Sequence, residues 1–316
     1  MALLVVIGVT AAVTISVTKN DGDGEPSPSG ETFGLASADD KGPANIITED
    51  PSCAAWGPIS QTFVDLQKKG WGDRDPSIAE PNWTPAQRKQ YEEVGRGARD
   101  IADQTVQLAK LTPHRVMREL FEQYIAYARA YADAIPNYEP SDNHIAGTMI
   151  ALGSVLTYAC SAITYGSALS RGPLISAPAP PSEFAALANP NEPSRFMPSA
   201  DSTCGDWEEL LTQYAEDLRP WEGIDSAIPA SSWTADQRKT IDATIPVMND
   251  YADRIEQLGR SSTNPIVQDL ATFSSQYRRA YAAALPTYVG ADGYLDSTAH
   301  RTMSIVYEAC KAAGAA

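Results

Sequence analysis

Three kinds of hydrophobic pattern follow one another along the chain. Residues 2–18, ALLVVIGVTAAVTISVT, form a single uncharged apolar run. Residues 19–52 mix Gly, Ser, Pro and Asp and offer few apolar side chains. From Cys53 onward, apolar positions recur every three or four residues, the period of helices with one buried face. Tyr91, Val94, Ala98, Ile101, Thr105 and Leu108 share one stripe. Met117, Leu120, Tyr124, Tyr127 and Tyr131 share a second, which ends near Pro136. A further helix is predicted from about Asp142 to Gly166, and a shorter one after Cys53. Thr84-Pro85-Ala86-Gln87 has the form of a capping box, with Thr84 as N-cap and Pro85 in the first helical position. No run of alternating β-branched residues predicts a strand.

The pattern then repeats at a spacing of 150 residues, with a one-residue slip near its start. Cys53-Ala54-Ala55-Trp56 corresponds to Cys204-Gly205-Asp206-Trp207, and Trp71 and Trp83 correspond to Trp221 and Trp233. WTPAQRK at 83–89 returns as WTADQRK at 233–239, and RAYADAIPNY at 129–138 returns as RAYAAALPTY at 279–288. Cys160 corresponds to Cys310, so all six Trp and all four Cys fall in paired positions. The second copy carries its own stripes, Ile241, Thr244, Met248, Tyr251, Ile255 and Leu258, then Val267, Leu270, Ser274, Tyr277 and Tyr281. A last helix is predicted from about Tyr294 to Ala313. Pro246 is expected to kink its helix and Gly259 to end it. Two copies of this length predict tandem domains rather than a solenoid.

The expected organisation is all-α: an N-terminal transmembrane helix and two tandem four-helix bundles, each stapled by one disulfide. Residues 1–18 form the anchor, 19–52 a flexible acidic tether, 53–170 the first repeat, 171–203 a Pro-rich linker and 204–316 the second repeat. Seven prolines in 171–203 favour extended, semi-rigid backbone, a spacer rather than an SH3-type ligand. In an up-down-up-down bundle the start of the first helix and the end of the fourth lie at the same end. That geometry pairs Cys53 with Cys160 and Cys204 with Cys310, among three connectivities open to four cysteines. A four-cysteine zinc site is disfavoured, because no two cysteines lie close in sequence.

Charge decides the expected orientation. The 17-residue apolar run is long enough to span a bilayer when retained as a signal anchor. A cleaved leader is the rival, but the run lacks a basic leading region and a small-x-small cleavage site. Its downstream flank, Asp21-Gly22-Asp23-Gly24-Glu25, is acidic, which places the bulk of the chain outside the cytoplasm. That flank lacks the later ligands of a calcium loop. Lys+Arg number 24 against 40 Asp+Glu, a net charge of −16, and no segment is basic. Nucleic-acid binding, which rests on cationic neutralisation of phosphate, is therefore excluded.

Chemistry-bearing motifs are scarce. His114, His144 and His300 have no partner at metal-ligand spacing, and GxSxG, HExxH, GxGxxG and P-loop patterns are missing. No catalytic residue, metal or cofactor is expected. The candidate partner or ligand surface is built from Arg115, Arg118, Tyr124, Tyr127, Arg129 and Tyr131 on the third helix, with Trp71 and Trp83 before the capped helix. For each, a structural role competes: helix-surface ion pairs, a tyrosine core, and indoles pinning a loop. The copies are expected to be alike in structure and unequal in function. Tyr124 and Phe121 give way to Ser274 and Ala271, and Arg115 and Arg118 to Pro265 and Gln268. If one copy binds, the first is the better candidate.

The apolar anchor, the acidic tether and two Cys…Trp…WTxxQRK…RAYA…Cys units joined by a Pro-rich spacer resemble actinobacterial, mycobacterial-type single-pass membrane proteins of unassigned function. That resemblance covers nearly the whole chain. It implies residence in the cell envelope and carries over no catalytic residue. The expected function is a non-enzymatic envelope protein whose helical repeats bind a partner protein or ligand. A sensor or scaffold relaying through the anchor is the alternative, and an envelope enzyme with an unrecognised site is the third class.

Overall fold

The computed structural model describes residues 32–314, which belong to one compact unit. The anchor over 1–18 and the tether as far as residue 31 lie outside the described residues. Among the described residues the regular structure is all-helical. The long helices of the first repeat are α1 (Cys53–Gln67), α2 (Pro85–Leu111), α3 (Arg115–Ala134) and α4 (Asn143–Thr164), followed by the short α5 (Ser167–Arg171). Those of the second are α6 (Cys204–Glu222), α7 (Ala235–Ser261), α8 (Pro265–Ala284) and α9 (Gly293–Ala312).

Local chemistry starts the helices where the sequence says it should. The Gln87 N–H donates to Thr84 Oγ1 at 3.2 Å, and Gln87 Oε1 accepts from the Thr84 N–H at 2.9 Å. Thr234 and Gln237 repeat the box with the same two distances. Each such cap contributes about 1 kcal/mol. The α2 stripe from Tyr91 to Leu108 is buried throughout, as is the α3 stripe from Met117 to Tyr131. Pro246 lies inside α7, which spans 27 residues. Gly259 does not end it. There α7 comes so close to α8 that an added Cβ would collide with Ala271.

That close approach accounts for one of the aromatic losses in the second copy. Ala271 replaces Phe121, and Gly259 stands where the first copy has Ala109, so the helices draw together. The other loss is offset by a size exchange between neighbouring helices. Tyr124 on α3 lies over Gly153 on α4, whose added Cβ would sit 3.1 Å from the ring. In the second copy Ser274 takes the Tyr124 position and buried Met303 takes that of Gly153. Bulk has moved from one side of the contact to the other, preserving interior density.

Cys53 is bonded to Cys160 and Cys204 to Cys310, pairing the start of the first long helix with the end of the fourth in each repeat. Each bridge closes a loop of more than 100 residues, worth on the order of 4 kcal/mol through the restricted unfolded chain.

The repeats share one continuous core. α4 and α9 lie antiparallel along each other: His144 at the start of α4 meets Glu308 near the end of α9 at 2.8 Å, and Tyr158 meets Tyr294 at a ring separation of 6.5 Å. These contacts are related by the duplication, since Tyr294 is the counterpart of His144 and Glu308 that of Tyr158. The seam is therefore a pseudo-two-fold axis. α4 is long and apolar enough to cross a membrane by composition. Here its apolar faces are largely spent against α9, α3 and α1.

Residues 32–52 correct the expectation of a flexible tether. Leu35, Ala44 and Ile47 are buried, and the Ile47 N–H donates to the hydroxyl of Tyr277 on α8 at 3.3 Å. The residues before the second repeat make the reciprocal crossing. The Phe196 N–H donates to Gln123 Oε1 on α3 at 2.8 Å, and the Phe196 ring packs on Tyr127. The Pro-rich linker is thus extended but docked. Each repeat is preceded by an arm that packs on its own repeat and also reaches the third helix of the other.

Candidate functional site

Those arms change the surroundings of the residues singled out on α3. An amphipathic helix on the outside of an isolated bundle would show its polar side to water. α3 is covered on that side by the N-terminal arm, by α8 and by the linker, so its charged groups are enclosed. Arg115 and Arg118 are buried, as are Glu119 and Glu122 on the same helix and Asp269 on α8. The Arg115 N–H donates to Asp40 Oδ2 at 2.7 Å, and its guanidinium donates to the Gly42 carbonyl at 2.8 Å while pairing with Asp269. Arg118 donates to Ser37 Oγ at 3.1 Å and to Glu122 Oε2 at 2.9 Å. Phe184, from the linker, lies over the Arg115 guanidinium at 5.0 Å.

Glu119 sits between the two arginines, at 3.8 Å from Arg115 and 3.7 Å from Arg118, and neither of its oxygens accepts a hydrogen bond. Burial pushes its carboxyl up to about 7; the two arginines oppose that shift, and the charges of Glu122 and Asp40 add to it. Burial also raises Glu122, against the pull of Arg118. Asp269 is the counterpart of Glu119 in the duplication. The cluster thus joins equivalent acidic positions of both repeats through one arginine.

The other candidates are also structural in their contacts. Tyr124, Tyr127 and Tyr131 are buried, and burial raises each phenol. Trp71 donates from Nε1 to the Tyr131 hydroxyl at 3.1 Å, and Trp83 donates to the Ile78 carbonyl at 2.8 Å. Trp233 makes the matching bond to Ile228 at 3.0 Å. Arg129 remains partly exposed and ties α3 to Asp103 on α2 at 2.6 Å, as Arg279 ties α8 to Asp253 at 2.7 Å. The expected surface on α3 is therefore corrected: apart from Arg129 it is interior, with Arg115 and Arg118 under the N-terminal arm and α8, Tyr127 under Phe196 of the linker, Tyr124 against Trp56 on α1 and Tyr131 against Trp71. Among the described residues, no group of three or more His, Cys, Asp or Glu is placed to hold a metal ion.

Two polar residues escaped the sequence reading. Asp50 accepts from the Ser52 N–H at 2.8 Å and from the Thr112 hydroxyl, fixing the start of α1 to the turn between α2 and α3. Asp201 does the same with Thr203 at 2.9 Å and Ser262 at 2.7 Å. Burial opposes ionisation of Asp201, but these bonds hold its carboxyl below the usual range. The signal was available as Asp-x-Ser/Thr-Cys ahead of each repeat.

An accessible groove lies elsewhere, between α1 and α4 of the first repeat. A groove of about 270 Å³ runs there over a floor of Trp56, Phe63, Tyr124 and Met149. Its lining contains no charged side chain. Val64 and Ile150 stand at its edges, 38% and 40% exposed.

Fold and site together define an all-helical, disulfide-stapled duplication whose halves are joined by the buried Arg115–Asp269 pair. The chain belongs to the family described as mycobacterial ESX-1 associated protein, whose family model matches residues 35–314. It is 45% identical over 319 residues to an uncharacterised protein of Mycolicibacterium smegmatis (strain MKD8), covering 99% of this chain and 85% of that relative. No solved structure matches.

Proposed function

We propose that the protein is a non-enzymatic component of the mycobacterial cell envelope that acts alongside the ESX-1 secretion system by binding a partner protein. The observation that carries this reading is the family match, which spans both repeats and both arms. In this reading residues 1–18 hold the protein in the membrane as a single-pass anchor. The two repeats, as fused four-helix bundles, stand on the extracytoplasmic side. Cysteines that all pair within the fold suit that oxidising compartment. The charges that a catalytic reading would recruit on α3 are engaged with the arms and with α8, which favours a binding role over an enzymatic one.

The test is a gene deletion in the producing mycobacterium, with export of ESX-1-dependent proteins measured by quantitative mass spectrometry. Membrane fractionation and chemical crosslinking of the complemented strain accompany it. Impaired export, restored by the full chain, together with a membrane-bound protein crosslinked to a reproducible partner, supports the reading. Unchanged export and no recovered partner overturn it.

A further inference from the structure

We infer that the end of the first repeat that carries α5 rests on the surface of the lipid bilayer, with Leu169 and Leu174 entering it. This inference rests on the membrane anchor in the reading above and adds the face that the folded part turns to the membrane. Four helix ends gather there. The Cys53–Cys160 bond joins the start of α1 to the end of α4, and Asp50 ties the start of α1 to Thr112 between α2 and α3. The N-terminal arm enters at the same end, where the Ala36 N–H donates to the Lys110 carbonyl at 2.9 Å. From that point the 27-residue α2 runs about 40 Å to the opposite end. Residues 19–31 separate the anchor from the arm, and a chain of that length reaches at most about 45 Å. The entry end is therefore the one that the anchor keeps nearest the bilayer.

Exposed apolar side chains collect at this end. Among the described residues, seven large hydrophobic side chains are exposed, and five of them are here. Leu111 ends α2, Tyr165 follows α4, Leu169 lies on α5 and Leu174 follows it. Val289 is the fifth, brought beside α5 because Arg171 donates to Thr287 at 2.9 Å and to Asp292 at 2.8 Å, on either side of it. The remaining two, Val64 and Ile150, edge the α1–α4 groove. A Cβ added at Gly172 would lie 3.6 Å from Ile46 of the arm, so α5 and the arm are neighbours. Leu169 and Leu174 are 66% and 56% exposed on a segment that the Arg171 bonds fix in place.

Charge and tethering select lipid as the occupant. A net charge of −16 is repelled by an anionic leaflet, so contact with a bilayer falls to a segment free of acids. Residues 143–182, which supply Tyr165, Leu169 and Leu174, contain no Asp or Glu. Leucines suit the acyl boundary, and the exposed Tyr165 ring suits the headgroup level beside it. Exposed apolar groups gathered at one place mark an interaction surface, and the anchor holds a bilayer near this one at high effective concentration. The contact is apolar, so it requires no anionic lipid.

The experiment reconstitutes the full chain into phosphatidylcholine vesicles with a photoreactive benzophenone amino acid at Ser170, beside Leu169, or at Lys68, exposed at the opposite end of the first repeat. Lipid adducts are quantified by mass spectrometry, and alkaline extraction checks that the chain is held in the bilayer. The lipid adduct from position 170 is expected to exceed that from position 68 at least ten-fold. Leu169→Glu combined with Leu174→Glu is expected to lower it more than ten-fold, with circular dichroism and resistance to extraction unchanged. Leu169→Ser combined with Leu174→Ser replaces that variant if it misfolds, and is expected to lower the adduct as well. Equal adducts from both positions, no lipid adduct from 170, or a product there that joins two copies of this chain would overturn the inference. So would an undiminished adduct in the folded double variant, or, in membranes of the mycobacterial host, an adduct with another polypeptide in place of lipid. Any of these results in a chain that resists extraction removes the contact and leaves the anchor standing. A chain released by alkali removes both.

Discussion

Arg115, in the first turn of α3, pairs with Asp269 on α8, the residue that occupies in the second repeat the place of Glu119 in the first. One guanidinium thus bridges two acidic positions descended from the same site, at a point where both repeats and the N-terminal arm meet. The second repeat has Pro265 where the first has Arg115, so this bridge is made only once. The duplication has become asymmetric at its own axis.

Arg115→Ala removes the cation from a buried set of carboxylates and deletes the bond to the Gly42 carbonyl that holds the arm. Breaking a buried pair by removing one partner costs about 3–5 kcal/mol. Urea unfolding followed by circular dichroism should show a loss of that order. Arg129→Ala breaks a partly exposed pair and should cost no more than about 1 kcal/mol.

Glu119 gives the protein a pH dependence of defined sign. Its carboxyl is raised by burial from 4.5 to about 7, so the native state holds the proton more tightly than the unfolded state. The contribution is complete below about 4.5 and is lost as pH rises through 7, on the order of 3 kcal/mol across that window. Arg118, Arg115, Glu122, Asp40 and Asp269 are the charges that surround it. Stability measured from pH 4.5 to 8 should decline in the native sequence, and Glu119→Gln should flatten that decline. A wild-type profile that rises over the same interval contradicts the assignment.

The crossing arms bear on how the halves fold. Residues 51–170 expressed alone lack both the 32–50 arm and the α8 surface that cover α3. Residues 204–316 alone lack the arms that cover α8. Each fragment would expose several buried charges and aromatics. Neither should show a cooperative thermal transition, whereas the chain from residue 32 onward should unfold in one step. Two cooperative, independently folded halves would contradict the shared core.

Helix starts, stripes and cysteine pairing were legible because each depends on local spacing: the Thr84 and Thr234 boxes, the tyrosine series on α3, and the repeat-wide placement of Cys. The arms were not. Their buried apolar groups, Leu35, Ala44 and Ile47 in one and Phe196 and Met197 in the other, follow no helical or strand period and sit among Gly, Pro and Ser. Solvation was therefore the natural reading of those stretches. The error then propagated to α3, since Arg115 and Arg118 face water only when nothing covers them. The α1–α4 groove was missed for a related reason: its walls come from segments about 90 residues apart in sequence, and its character lies in charges that are absent.

Amide hydrogen exchange at Ile47 and Phe196 in the intact protein tests the interlocked fold most directly. Each donates its N–H to the opposite repeat, Ile47 to Tyr277 and Phe196 to Gln123, from stretches whose composition suggests freely solvated chain. Both amides should exchange only with global unfolding, at the same free energy as the central residues of α3 and α8. Exchange of either at the rate of an unstructured peptide, while α3 and α8 remain protected, would contradict the crossing of the arms.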